Sequence, residues 1–243
     1  MKNETYLVTG ANSGMGFETA RLLAARGATV IGTGRSEERL AAAGRELEGV
    51  ELVRSDAASA KDIEALAARF APKSLNGVFV NAGMATFRPF EQATLDQFDS
   101  TFALNVRGPF LLLQKLSEAI VDGGSVVINT TIANRKGFPS TSIYAASKGA
   151  LRSLARVLAA EWASRGIRVN CVAPGPVDTP IYGKVGLAAG DVAELKAGWG
   201  SQVPLGRMGT SEEVARMVVF LLGEEGSFVT GAEIDVDGGV VAA

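Results

Sequence analysis

No histidine occurs among the 243 residues, and cysteine occurs once, at Cys171. These absences exclude a serine–histidine–aspartate triad, a cysteine–histidine pair, a histidine-ligated metal and a thiolate cluster. A lone cysteine forms no internal disulfide, which sets the expectation of a reducing, cytoplasmic compartment. An excess of one charge is also lacking: 24 Lys and Arg stand against 26 Asp and Glu. A formal charge of −2 offers no electrostatic footprint for nucleic acid or an anionic membrane. Long apolar runs are missing, so no segment is expected to span a bilayer. The opening stretch from Met1 to Gly10 runs straight into a strand pattern and lacks the regions of a secretory leader. No ladder of clustered carboxylates suggests Mg²⁺. Chemistry is left to Tyr, Lys, Ser, Thr, Asn or carboxylates, or to a borrowed cofactor.

What is present is an alternation of two periodicities. Apolar, β-rich runs fall at Thr5–Thr9, Thr29–Thr33, Glu51–Arg54, Gly77–Val80, Ser125–Asn129, Arg168–Val172 and Ala232–Val236. Between them lie helical patterns such as Glu18–Arg26, Glu37–Leu47 and Lys61–Phe70. Strands that are apolar nearly throughout, each followed by a helix, predict a parallel sheet covered on both faces. No linker or repeat divides the chain. The expectation is one α/β domain over residues 1–243, doubly wound around a seven-stranded parallel sheet. The stretch Asp178–Gly209 lacks strand or core pattern and carries Gly183, Gly186, Gly190, Gly198 and Gly200, so it reads as a flap beside a binding site.

Directly after the first strand stands Thr9-Gly10-Ala11-Asn12-Ser13-Gly14-Met15-Gly16. Glycines at such a turn let the backbone approach a pyrophosphate, which then rests on the N–H groups opening the next helix. The spacing is G-x-x-x-G-x-G, and the competing reading is a strand–helix turn that binds nothing. A second constellation, Tyr144-Ala145-Ala146-Ser147-Lys148, opens a long Ala/Leu/Arg helix. Residues i and i+4 share a helix face, so phenol and ammonium can converge. An ammonium there is expected to lower the phenol pKa from about 10 and fit Tyr144 for general acid–base work. Taken alone, the pattern also suits an amphipathic helix with a snorkelling lysine.

Together these motifs resemble the short-chain dehydrogenase/reductase family, in its compact single-domain branch, from the first strand to the last. Val80-Asn81-Ala82-Gly83 is similar to the family's Asn-Ala-Gly segment, and Asn105 matches the helix asparagine that supports a water-linked proton path to the lysine. Pro174-Gly175-Pro176-Val177-Asp178-Thr179 resembles the turn that cradles the nicotinamide end. Val203–Gly209 with Glu212–Ala215 is similar to the segment after the substrate flap, and Thr230–Glu233 with Val236–Gly239 to the terminal strand and its Gly-Gly ending. The resemblance implies hydride transfer between a nicotinamide and a carbonyl, with Asn105, Thr131, Tyr144 and Lys148 as the catalytic set. It further implies a homotetramer built through the Asn105 helix, the Tyr144 helix and the terminal strand.

Thr131 is a departure, because the family usually places serine thirteen residues before the tyrosine. Threonine keeps the hydroxyl, while its methyl stiffens χ1 and takes room beside a reacting carbonyl. The alternative is a β-branched residue ending a strand without a catalytic role. Thr130 is expected on the opposite face.

The second strand ends Val30-Ile31-Gly32-Thr33-Gly34-Arg35-Ser36. Gly34 stands where an acid would accept a ribose 2′-hydroxyl, and Arg35 can fork onto a 2′-phosphate with Ser36 adding a hydroxyl. NADP(H) is therefore preferred and NAD(H) remains possible. Arg35 as a solvated loop residue, and Ser13 where a basic residue often marks NADP use, argue the other way. Asp56 matches the family's adenine-contacting acid and equally suits a turn. Cys171 reads as a small buried hydrophobe, Trp162 as packing or interface, and Trp199 as a substrate cap or a loop anchor. Asn134, Ala85 and Phe138 are candidates to join the pocket. The leading expectation is an NADPH-linked carbonyl reductase. An NAD-linked alcohol or sugar dehydrogenase is the second, and a non-catalytic nucleotide-binding regulatory module the third.

Overall fold

The computed structural model describes residues 1–179 and 198–243. In chain order it contains β1 (Thr5–Thr9), α1 (Gly14–Ala25), β2 (Thr29–Gly34), α2 (Glu37–Gly44), β3 (Val50–Arg54), α3 (Ala60–Ala67), β4 (Leu75–Val80), α4 (Leu95–Phe102), α5 (Gly108–Leu116), β5 (Ile120–Asn129), α6 (Ser142–Glu161), β6 (Arg168–Pro174), β7 (Val177–Asp178), β8 (Gly209–Thr210), α7 (Ser211–Leu222) and β9 (Glu233–Val236). Seven of the strands form one parallel sheet in the order β3-β2-β1-β4-β5-β6-β9. The seven-stranded, doubly wound sheet expected from the apolar runs is present, with helices on both faces.

Alternation along each strand feeds two cores. On one side Leu7, Val78, Val126, Ile128 and Cys171 pack with Ile63 of α3, Leu112 and Leu116 of α5 and Leu151 of α6. On the other, Tyr6, Val8, Phe79, Val127 and Val172 pack with Leu23 of α1 and Val214 and Val218 of α7. Burying each such side chain contributes about 1.5–3 kcal/mol. Cys171 is buried within the first core, and Trp162 packs against it.

Two features were not anticipated. Val177–Asp178 pairs in parallel with Gly209–Thr210, so the two ends of the expected flap are pinned to each other. Most of that flap, 180–197, lies outside the described residues. Residues Ala103–Arg107 form a π-helical turn between α4 and α5, a local widening often found at functional sites.

Chain order and strand order reverse across the neighbours β1 and β4. In open parallel sheets the crevice at such a switch point, beyond the strand carboxyl ends, is where ligands bind. The glycine turn leaves β1 there, and β4 and β5 end beside it.

Candidate active site

The floor of the crevice is a cross-braced backbone. Thr9 Oγ1 accepts the N–H groups of Asn81 at 2.9 Å and Ala82 at 3.0 Å, tying the end of β1 to the end of β4. Asn81 Nδ2 donates to the Thr9 carbonyl at 3.0 Å, and Asn129 Nδ2 donates in turn to Asn81 Oδ1 at 3.0 Å. Gly10 takes φ +70°, a left-handed turn suited to glycine. A Cβ on Gly16 would stand 2.2 Å from the Gly10 carbonyl oxygen, so only glycine lets α1 lie this close to the turn. Ser13 occupies the N-cap of α1 but its side chain caps nothing, and Met15 receives the Thr19 hydroxyl on its carbonyl at 2.7 Å. First-turn N–H groups of a helix have no intrahelical acceptors, which leaves the Gly14–Gly16 turn suited to an anion. This cradle fits the dinucleotide expected from the sequence.

Toward the outer strands, Gly34 packs its Cα against Asn12, whose Cγ would lie 3.1 Å from a Cβ at position 34. A carboxylate side chain at 34 would have to displace Asn12. Arg35 is exposed. Ser36 caps α2, accepting the Arg39 N–H at 3.3 Å. Asp56 forms a local turn, its Oδ1 accepting the Ala58 N–H at 2.9 Å. A small hollow at the ends of β1, β2 and β4 is lined by Thr9, Thr33, Ser55, Ala57 and Ala82 and closed by Ile63 and Leu66 of α3 and Leu112 of α5. Ser55 and Ala57 went unnoticed in the sequence, since neither belongs to a motif.

The chemical centre lies at the ends of β5 and α6. The Thr131 hydroxyl is near enough to the Tyr144 phenol to favour the phenolate, and Thr131 Oγ1 accepts the Ala133 N–H at 3.3 Å. Lys148, one turn along α6, is buried. Its Nζ donates to the Asn129 carbonyl at 2.7 Å. A Cβ on Gly83 would stand 3.2 Å from Asn105 Oδ1 and 3.4 Å from Lys148 Nζ, so these two side chains approach one point. The Asn105 amide is committed to its neighbours: Oδ1 accepts the Met84 N–H at 2.9 Å, and Nδ2 donates to the Met84 carbonyl and to Ser147 Oγ. Ser147 donates to the Tyr144 carbonyl at 2.7 Å. The π turn thus holds the 83–84 loop and the start of α6 together.

Electrostatics correct one expectation. Burial raises the Tyr144 pKa above its ordinary value, and the nearby Thr131 hydroxyl opposes this as the smaller effect. Lys148 does not bring the phenol down. Burial instead lowers the ammonium to about 8, with Cys171 a weaker influence. The sequence argument failed because it counted the i+4 charge and could not count desolvation, which here is larger.

Thr130 turns away from Tyr144, as strand alternation predicts. Its hydroxyl lies 2.7 Å from Glu233 Oε1 and 3.0 Å from the Val172 carbonyl. Asn134 Nδ2 donates to the same carboxylate at 2.8 Å, and Arg152 Nε sits 2.8 Å from Glu233 Oε2. Asn134, a candidate pocket residue in the sequence, instead anchors β9. Pro174 belongs to β6. Gly175 passes so close to Asp237 that a Cβ would meet its Cβ at 2.6 Å. Val177 is buried and Thr179 half-buried at the edge of the described segment.

One aromatic pair involves the phenol itself, and a second joins the segment before α6 to Trp199. Phe87 meets Tyr144 edge-on with ring centroids 6.3 Å apart, and Phe138 meets Trp199 edge-on at 5.6 Å. Phe87, the Asn129 amide and the Ser147 hydroxyl were missed in the sequence. Asn129 adjoins the Thr130-Thr131 pair without belonging to a spaced pattern, and Phe87 lies in a loop with none.

Known proteins share this architecture. A family model described as Enoyl-(Acyl carrier protein) reductase matches residues 10–241. The chain is similar to 2-(S)-hydroxypropyl-CoM dehydrogenase 3 of Xanthobacter autotrophicus, with 34% identity over 100% of this chain and 98% of that one. Among solved structures it is similar to a short chain dehydrogenase/reductase family protein, at TM-score 0.89 and 39% identity, covering 100% of this chain and 99% of that chain. Levodione reductase superposes with TM-score 0.92 and 31% identity, covering 100% and 99% respectively.

Proposed function

Since the chain belongs to the short-chain dehydrogenase/reductase family of oxidoreductases, we propose that it reduces a ketone to a secondary alcohol, reversibly, with NADPH. One observation carries the reading: Thr131 and Tyr144 come together near buried Lys148, which is held by the Asn129 carbonyl, at the strand ends beside the glycine cradle. A bound reduced nicotinamide supplies the hydride, which no side chain can.

The protein groups act on the carbonyl oxygen. Thr131 and Tyr144 donate hydrogen bonds where negative charge develops. The raised Tyr144 pKa keeps the phenol protonated at neutral pH, as a proton donor must be. Lys148, cationic below about 8, is assigned to hold the nicotinamide ribose beside Tyr144. Asn105 positions the 83–84 loop and α6 beside it. In the nucleotide, the pyrophosphate is assigned to Gly10, Asn12, Ser13, Gly14, Met15 and Gly16. The adenosine end is assigned to Gly34, Arg35, Ser36 and Asp56. The nicotinamide end falls to Asn81, Ala82, Gly83, Tyr144, Lys148, Pro174, Gly175, Val177 and Thr179.

The preference for NADPH is supported by Gly34, which offers no carboxylate against a 2′-phosphate, and by exposed Arg35. The Arg35 guanidinium has no side-chain partner among the described residues. Side-by-side calorimetric titration tests it: NADPH binds at least tenfold tighter than NADH, about 1.4 kcal/mol, and Arg35→Ala removes that margin. Equal binding of the two, unaffected by Arg35→Ala, overturns the preference and favours the NAD-linked dehydrogenase. Exposed Phe110 and Val157, on α5 and α6, favour burial in a homotetramer, which light scattering checks. Among the described residues no helix is long and apolar enough to cross a membrane.

A further inference from the structure

Deepening the ketone-reductase reading on which it rests, we propose that the substrate is a ketone with an aromatic or alicyclic body, packed between Phe87 and the Phe138–Trp199 pair. The segments bearing these rings are held to the catalytic helix. The Arg88 N–H donates to the Ser140 carbonyl at 2.8 Å, which ties the Phe87 loop to the approach to α6. The Thr141 hydroxyl donates to the Phe138 carbonyl at 2.7 Å, which ties the second aromatic wall to the same turn. Phe87 stands edge-on to the phenol and still keeps 40% of its surface exposed. Apolar surface left open directly beside a proton donor is suited to covering by substrate carbon. Phe138 is itself backed by the buried apolar cluster of Ile132, Ala173, Val203 and Val240.

Several polar side chains nearby are held by the protein itself. Thr86 shares a hydrogen bond with Thr101 at 3.4 Å, Thr141 serves Phe138, and Asn134 serves Glu233. A polyol needs several side-chain donors and acceptors, because each hydroxyl taken from water and left unpaired weakens binding. Among the described residues around Tyr144, Thr131 and Tyr144 suffice to hold one oxygen, and little remains to read more. Arg88, the nearest cation in sequence, is exposed, so an anionic ketone is the competing class that the experiment must include.

The test compares kcat/KM for an aryl methyl ketone, a ketopentose and a 2-oxo acid, each with NADPH and with NADH, in the wild type and in Phe87→Ala. The aryl ketone is expected to lead the ketopentose by at least a hundredfold. Phe87→Ala should lower its kcat/KM about tenfold, mainly through KM, with Phe87→Leu recovering part of the loss. Tyr144-dependent turnover that favours the ketopentose or the oxo acid overturns the substrate class while the reductase reading stands. If no ketone is turned over, the reductase reading fails. Calorimetric titration of the aryl alcohol onto Tyr144→Phe protein then decides the aromatic site separately: binding that weakens in Tyr144→Phe/Phe87→Ala upholds it, and no binding removes it.

Discussion

Beneath the glycine cradle, polar groups brace one another across the strands; beside Tyr144, a ring stands on a loop. Thr9, Asn81 and Asn129 link β1, β4 and β5, and Lys148 joins them through the Asn129 carbonyl. Phe87 and Phe138 lie outside every strand and helix longer than a turn. The difference teaches how the molecule separates two tasks. The nucleotide side is fixed by backbone approach and tolerates no added atom at Gly16. The substrate side is fixed by side-chain identity, where one residue can change without disturbing the sheet.

Glycine substitutions on the two sides would break or sharpen this contrast most strongly. Gly16→Val drives side-chain atoms into the Gly10 carbonyl, and overpacking of this kind costs about 1–3 kcal/mol or more. Nucleotide affinity should fall at least a hundredfold by titration, with a lowered melting temperature. Gly137→Ala, where a Cβ would meet nothing within 4 Å, should leave both within error. Similar effects from the two changes would erase the distinction.

Next in size is a pH effect at the junction of the two sides. Lys148 has a folded pKa of about 8, so its charge is present below that value and lost above it. Reductive kcat/KM should therefore decline above about pH 8, approaching tenfold per unit. Lys148→Arg, which stays charged, should have a lower maximum but no such decline. Stability moves oppositely. Between about 8 and the ordinary lysine range near 10.4 the unfolded chain binds the extra proton, so this group's contribution to stability rises with pH there. A pH profile flat from 7 to 10 in the wild type would remove Lys148 from the account.

The smallest effect is expected at Thr131. Thr131→Ser keeps the hydroxyl beside Tyr144 and removes one methyl, so activity on small ketones should stay within about threefold. Bulkier ketones should gain relative to them, since one methylene-sized change in a pocket is worth about 1–3 kcal/mol of discrimination. A loss of activity on every ketone would show that the methyl itself holds the hydroxyl in place.

The sheet was legible because buried parallel strands must be largely apolar, as β1, β2, β4 and most of β5 are. The half-buried edge strands β3 and β9 carry Glu51, Arg54, Glu233 and Asp235 and were marked more by their place in the alternation. The cradle was legible for a related reason: close backbone approach admits only glycine, so Gly10, Gly14 and Gly16 mark it directly. The β7–β8 pairing was not, because two residues per strand leave no period to read. The π turn at Asn105 was hidden within an ordinary helical pattern. The Asn81–Asn129 bond spans 48 positions, and nothing local in the sequence forecasts it. The direction of the Tyr144 pKa depends on how much protein surrounds the phenol, which only the folded chain determines.

The most direct test of the central claim follows nucleotide binding and ketone reduction together in wild type and Tyr144→Phe. The substitution removes one hydroxyl and leaves the glycine cradle untouched. The account predicts NADPH binding within about twofold and turnover lower by about 10²–10⁴-fold, the usual range for a general acid. Turnover that persists in Tyr144→Phe, or binding that falls as far as turnover does, would contradict it.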